Sequence, residues 1–193
     1  MTTKLKYMVG NVVDQQFKEP TLLIHVCNVC DGYGSGVAGA ITKKYYHAKA
    51  EYHEWYNSTT SVVVQSHVER DNTDEINERL YEDYGDTQFM LGQIQVIEVV
   101  HNLFIVNMLA QVTPSGDTFK IGSEKVYLRP IRLSSLRECL YRVASLSKGL
   151  GAKVVGPMFA SGLARGNWDE EIVPLIEECL LKFDIDVTIY KLQ

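Results

Sequence analysis

Residues Leu22–Ile41, LLIHVCNVCDGYGSGVAGAI, decide the fold. The apolar run from Leu22 ends in His25, Val26, Cys27 and Asn28, the pattern of a buried strand whose C-terminal end turns polar where a ligand could sit. Gly32, Gly34 and Gly36 follow, with only Tyr33 and Ser35 between them. Such spacing lets backbone N–H groups approach an anion closely, because no Cβ atoms intervene. Val37 to Tyr46 then reads as a helix, whose unpartnered N–H groups and positive dipole end point at the same spot. Strand, glycine loop and helix start together predict a phosphate cradle.

Glycine-rich turns often do no more than reverse a chain, and here the flanking strand and helix supply the context that gives the motif meaning. Gly34-Ser35-Gly36-Val37-Ala38-Gly39 also matches GxGxxG, the dinucleotide fingerprint, letter for letter. That fingerprint wants its first glycine in a tight turn directly off the strand, whereas five residues separate Asn28 from Gly34. It also wants a second strand ending in an acid about 20 residues on, where Glu51 to Trp55 still reads as helix. An NAD-linked reductase is therefore disfavoured.

Upstream of this stretch, Leu5–Val9 reads as a short strand ending at Gly10-Asn11, and Pro20-Thr21 leads into the central run. Downstream, the helix is expected to continue with breaks to Trp55, with Ile41, Tyr45, Ala48 and Tyr52 on one side and Lys43, Lys44 and Lys49 on its solvated face. Ser61–Gln65 reads as a small strand. An acidic, polar segment from Glu69 to Asp86 suggests a surface insertion at about 66–90, with Tyr81 and Tyr84 docking it or touching a ligand. Leu91–Val100 and Leu103–Met108 read as a hairpin around His101-Asn102, the second strand apolar and hence central. Gln111–Lys125 reads as a loop and a candidate lid.

Arg129–Arg132 is expected to open a helix that buries Leu133, Leu136, Leu140 and Val143 and closes at Gly149 and Gly151. A strand from Lys153 runs through Pro157 to Ala160 and into a second flexible loop, Ser161–Gly166. Trp168–Phe183 reads as a last helix burying Ile172, Ile176, Leu180 and Phe183, with Asp169, Glu170 and Glu171 at its positive end. Asp186–Tyr190 is the final strand. Alternating strands and helices predict an α/β chain, a three-layer α/β/α sandwich with a mixed, mostly parallel central sheet. The site belongs at the C-terminal strand ends, where two glycine loops side by side could grip the two phosphates of a pyrophosphate.

At 193 residues, the simplest organisation is one domain over 1–193. A net charge of −5 and no face-length run of Lys or Arg disfavour nucleic acid as a partner. MTTKLKYMVGN lacks a signal-peptide core and no apolar run approaches a membrane span, so a cytoplasmic protein with no membrane partner is expected. Cys27 and Cys30 form a C-x-x-C, but no second pair completes four zinc ligands and the pair does not open a helix that would lower a thiol pKa. Buried, reduced thiols are expected for Cys27, Cys30, Cys139 and Cys179, and nothing requires a metal or cofactor.

On these residues the chain resembles the macro domain family, the ADP-ribose-binding fold. His25–Asn28 with Gly34–Ile41 looks like the family's N-A-A-N and G-G-G-V-A-x-A-I pattern, and Phe159–Trp168 looks like its second loop, commonly I-G-C-G-L-A-G-G-x-W. Gly10-Asn11-Val12 stands where the family has G-D-I or G-D-L. The resemblance implies that Asn11 and Val12 meet adenine, with Tyr190 stacking on it. It implies that Asn28 bonds the distal ribose, while Gly34, Ser35, Gly36, Val37, Ser161, Gly162, Leu163 and Ala164 surround the diphosphate and ribose. Asn11 departs from the usual aspartate and loses charge assistance toward the adenine amino group.

Relatives that strip ADP-ribose from glutamate or DNA use a lysine after the apolar strand and, in the glutamate-acting branch, an aspartate in the second loop. Gln111 and Ala164 stand at those positions. His25 instead matches the H-A-C-N variant of the ADP-ribose 1″-phosphate phosphatase branch. The implied reaction is hydrolysis of ADP-ribose 1″-phosphate to ADP-ribose and phosphate. Loop amides would hold the phosphate, His25 would activate water or protonate the leaving oxygen, Asn28 would stand beside it, and Asp31 is a second candidate base. The alternatives are a reader that binds ADP-ribose without turnover and a hydrolase that removes ADP-ribose from protein or nucleic acid.

Overall fold

The structure is a computed structural model that describes residues 5–67, 89–121 and 124–192. The strands are β1 (Leu5–Val9), β2 (Thr21–Asn28), β3 (Ile94–Val100), β4 (Leu103–Gln111), β5 (Asp117–Ile121), β6 (Glu124–Leu128), β7 (Lys153–Pro157) and β8 (Val187–Lys191). The helices are α1 (Gly36–Lys44), α2 (Tyr46–His67), α3 (Leu133–Leu150) and α4 (Val173–Cys179). Six strands form one sheet in the order β1-β8-β7-β2-β4-β3, and only the β3–β4 pair is antiparallel. This is the mixed, mostly parallel α/β architecture that the strand and helix alternation predicts.

The alternation of side chains along β2 divides the interior into two layers. Leu22 and Ile24 pack with Leu136, Leu140 and Val143 of α3 and Ile176 of α4. Leu23 and Cys27 pack on the other face with Ile41 of α1 and Ala48 and Tyr52 of α2. Burial on both faces explains why β2 reads as a continuous apolar run, each fully buried Leu or Ile contributing about 1.5–3 kcal/mol. One long helix is broken into α1 and α2 at Tyr45, whose φ of −131° leaves the helical region while its N–H still bonds the Ile41 carbonyl. Gly151, in the left-handed region at φ 59°, ends α3.

Four elements differ from the sequence expectation. Ser61–Gln65 is the last part of α2 and not a strand; local β preference is a weak prior beside a helix already propagating from Tyr46. Gln111–Lys125 is not a plain loop: its Asp117–Ile121 part pairs antiparallel with Glu124–Leu128 as β5 and β6, in a stretch whose Thr, Phe, Ile, Val and Tyr residues favour strands. Arg129–Arg132 does not open α3: Ile131 bridges Gln111 and the Arg132 N–H bonds the Ala110 carbonyl, so the helix starts at Leu133. The last helix is a π turn at Trp168–Ile172, then α4, then a 3-10 turn at Leu181–Phe183. Pro174 has no N–H to continue a regular ladder at the π-to-α junction, and the later shift in register leaves Phe183 exposed instead of buried. Most of the expected insertion, including Tyr81 and Tyr84, lies outside the described residues. Among the described residues no helix is long and apolar enough to cross a membrane.

Candidate functional site

β2, β4 and β7 run parallel, so their C-terminal ends, Asn28, Gln111 and Pro157, open on one edge of the sheet. A bulge between Cys27 and Asn28 shifts the β2–β4 register there, and all three end residues line a cleft of about 360 Å³. That volume falls in the range of small-molecule sites, about 300–1,000 Å³.

Asn28 organises the first loop. Its Oδ1 accepts from the N–H groups of Cys30 at 2.9 Å and Gly32 at 3.1 Å, and its Nδ2 donates to the Gly32 carbonyl at 2.7 Å. A Cβ on Gly32 would stand 2.9 Å from that Nδ2 and 3.0 Å from Pro114, so only glycine lets the loop close this tightly. The amide keeps one N–H for a ligand. Asp31 adopts the left-handed φ of 57°, a conformation that aspartate tolerates, with its carboxylate bonded to His53 Nδ1 of α2. The Tyr52 hydroxyl donates to the Asn28 carbonyl, so α2 holds the loop at two points.

Ser35 caps α1 with an extended backbone, yet its hydroxyl makes no capping bond. Gly36 takes φ 56°, which glycine adopts freely, and Gly36, Val37 and Ala38 line the cleft with the first turn of α1. The opening N–H groups of a helix have no partner inside it, so this rim offers donors and a positive dipole end to an anion.

The second loop follows β7. Ala160 at φ 61° and Arg165 at φ 56° both hold left-handed conformations costly for residues with a side chain. Bonds from the Gly166 N–H to the Ala160 carbonyl at 2.7 Å and from the Arg165 N–H to the Gly162 carbonyl at 2.9 Å fix the turn. Phe159 meets Trp168 edge-on at 5.7 Å, and the Trp168 indole N–H donates to the Tyr7 hydroxyl at 3.1 Å, anchoring the loop to β1. Gly162, Leu163 and Ala164 line the cleft that Ser35, Gly36 and Val37 also line.

Beneath the loops lies a buried polar chain. His25 Nε2 stands 2.6 Å from Asn107 Oδ1, which also accepts from the Tyr33 hydroxyl at 3.1 Å, while Asn107 Nδ2 donates to Gln95 Oε1 at 2.9 Å. An acceptor oxygen facing Nε2 assigns the proton to that nitrogen and leaves Nδ1 bare, with Cys27 Sγ 3.7 Å away. Burial pushes the His25 pKa down to about 4 against the opposing pull of Asn107, and burial raises the Cys27 thiol well above its usual range. Both groups are therefore neutral near pH 7.

No protein-family model and no curated protein sequence matches the chain. Among solved structures it is similar to a protein of unknown function from Bacteroides thetaiotaomicron, at 27% identity over 99% of each chain with a TM-score of 0.76. It is also similar to a macrodomain protein from Streptomyces coelicolor, at 24% identity over 97% of this chain and 98% of that one, with a TM-score of 0.66. The chain has the macrodomain fold. A third similar structure is Thermosipho africanus DarTG in complex with ADP-ribose, at 13% identity over 90% of this chain and 38% of that one, with a TM-score of 0.56.

The chain brings together much of what the sequence singles out, though not all of it. Asn28, Ser35, Gly36, Val37, Gly162, Leu163 and Ala164 share the cleft. Gly34 and Asn11 line a neighbouring cavity, Asn11 donating to Asp14 Oδ2 at 2.8 Å. Ser161 lies between lining residues with its hydroxyl turned to the Met158 carbonyl. Val12 is buried, and Tyr190 packs against the inner layer around it. His25 is fully buried behind the cleft and does not line it: it lies short of the strand end, with its ring held by Asn107 and beside the Tyr33 hydroxyl. Asp31 does not line it either, its carboxylate being turned to His53. Cys30 is exposed instead of buried, since it lies beyond the strand end, and its thiol donates to the Val112 carbonyl at 2.9 Å.

Gln111, Pro114, Met158 and Phe159 of the cleft were given no ligand role by the sequence. Gln111 carried a readable signal, a polar residue closing an apolar strand. Pro114 and Met158 carried none, because they reach the cleft only through tertiary packing.

Proposed function

We propose that the protein binds ADP-ribose, or an ADP-ribosyl group, with its diphosphate between the start of α1 and the second loop. The observation that carries this reading is the shared cleft: Ser35, Gly36 and Val37 with Gly162, Leu163 and Ala164 bring two sets of main-chain amides to one opening. Backbone donors and a helix start suit an anionic linker that needs no lysine or arginine in the cleft. The ADP-ribose complex of a protein with a similar fold supports the same ligand class.

The geometry favours binding over fast turnover. No charged side chain lines the cleft among the described residues, and Cys27, its one thiol, is held protonated. Hydrolysis of ADP-ribose 1″-phosphate remains the finer reading that the resemblance implies. For it, main-chain amides would stabilise the transferring phosphate, and His25 would act as a positioning residue beneath Cys27 and Asn28.

Calorimetric titration with ADP-ribose, AMP and NAD tests the binding reading. ADP-ribose is expected to bind most tightly. A Cβ on Gly162 meets nothing within 4 Å, so Gly162→Asp places a carboxylate at the cleft without repacking and should weaken ADP-ribose by about tenfold or more. Equal affinity in parent and variant contradicts the placement. Phosphate release from ADP-ribose 1″-phosphate, compared between the parent and His25→Ala, decides turnover, and release no faster than background ends the phosphatase reading.

A further inference from the structure

Beside the cleft lies a second cavity of about 710 Å³, which Gly36 also lines together with Gly34, Gly39 and Asn11. The two cavities therefore meet at the glycine loop. Lys43, Lys44 and Lys49 ring the second one against a single carboxylate, Asp14, whose Oδ2 is held by Asn11. A local excess of lysine stands out on a chain of net charge −5.

Helix electrostatics explain part of this cluster and leave the rest open. Lys43 and Lys44 close α1, where cations complement the dipole. Lys49 sits in the opening turn of α2, the end at which the dipole disfavours a cation, and no acidic residue shares that turn. Lys44 is engaged, its Nζ donating to the Val13 carbonyl at 2.7 Å and lying 5.4 Å from the Tyr45 ring centre. Lys43 and Lys49 have no hydrogen bond or ion pair among the described residues. Two uncommitted ammonium groups therefore line a cavity that three glycines, Tyr33 and Thr42 also line, an arrangement that suits a phosphate as a point-charge ligand.

We propose that this cavity is a second anionic subsite, taking a phosphomonoester carried on the adenosine ribose of a ligand whose diphosphate occupies the cleft, since Asn11, expected at adenine, lines the same cavity. The proposal rests on the ADP-ribose reading above. The extra phosphate brings close to two further negative charges to Lys43 and Lys49, and the Gly36 that both cavities share puts them within reach of one ligand.

The test is calorimetric titration of the parent and of a Lys43→Ala/Lys49→Ala variant with ADP-ribose, ADP-ribose 2′-phosphate and ADP-ribose 1″-phosphate. Lys44 is retained because it holds Val13. In the parent, ADP-ribose 2′-phosphate should bind about tenfold more tightly than ADP-ribose, with ADP-ribose 1″-phosphate as the control for a phosphate on the other ribose. The gain should vanish in the double variant while ADP-ribose itself binds as in the parent. It should also shrink between 0.05 and 0.5 M salt, as screening of exposed charges requires. No gain from ADP-ribose 2′-phosphate, a gain from ADP-ribose 1″-phosphate alone, or a gain that survives both lysine substitutions overturns the subsite while ADP-ribose binding still stands. Failure of ADP-ribose to bind at all overturns the earlier reading instead.

Discussion

His25 shows how burial rather than residue type sets a role. Its imidazole is fully enclosed, bonded through Nε2 to Asn107 and pushed down to a pKa of about 4. In the unfolded chain the same group takes up a proton near pH 6.5, so below that pH the unfolded state binds more protons and the fold loses stability. The loss runs from about pH 6.5 down to about 4, where the folded state also protonates, and amounts to about 3 kcal/mol. Urea unfolding at pH 7 and pH 4 should therefore show a larger drop in the parent than in His25→Gln, and parallel drops contradict the assignment. Tyr52 is a second residue with a displaced effect. Its buried hydroxyl bonds the Asn28 carbonyl, so Tyr52→Phe should cost about 1–2 kcal/mol in denaturant unfolding and weaken ADP-ribose, although Tyr52 lines no part of the cleft. Unchanged affinity in a stable Tyr52→Phe variant would remove α2 from the support of the loop.

At the scale of elements, the strands that carry the site are the ones their own sequences describe best. Burial on both faces makes β2 and β4 continuous apolar runs, and their polar ends, Asn28 and Gln111, mark the cleft. The glycines were legible as a class, but their division of labour was not. A Cβ at Gly156 of β7 would stand 2.9 Å from the Ile24 carbonyl oxygen of β2, whereas one at Gly162 meets open space. Gly156→Ala should destabilise by about 1–3 kcal/mol in thermal or denaturant unfolding, and Gly162→Ala should leave stability unchanged. Equal effects would mean that the β2–β7 approach is looser than the structure has it. The misread elements, Ser61–Gln65 and the β5–β6 hairpin, are those whose state depends on what precedes or pairs with them and not on their own period. That His25 lies behind the cleft and not in its lining was illegible for a related reason. Val26, Cys27 and Asn28 reach the cleft because the strand bulges and ends there, a point along β2 that its composition does not reveal.

Across the whole molecule, three strand ends, one helix start and a strained loop converge on one edge of a six-stranded sheet. The rest of the fold holds them there: α2 ties the first loop through Tyr52 and His53, and Trp168 ties the second to β1 through Tyr7. A ligand that bridges the two loops should therefore perturb both at once and leave the distant α3–α4 layer quiet. The most direct measurement is amide chemical-shift mapping by NMR during titration with ADP-ribose. The amides of Ser35, Gly36 and Val37 should shift together with those of Gly162, Leu163 and Ala164, along a single saturating curve. Shifts confined to one loop, or centred elsewhere on the molecule, would contradict a ligand bridging the two loops.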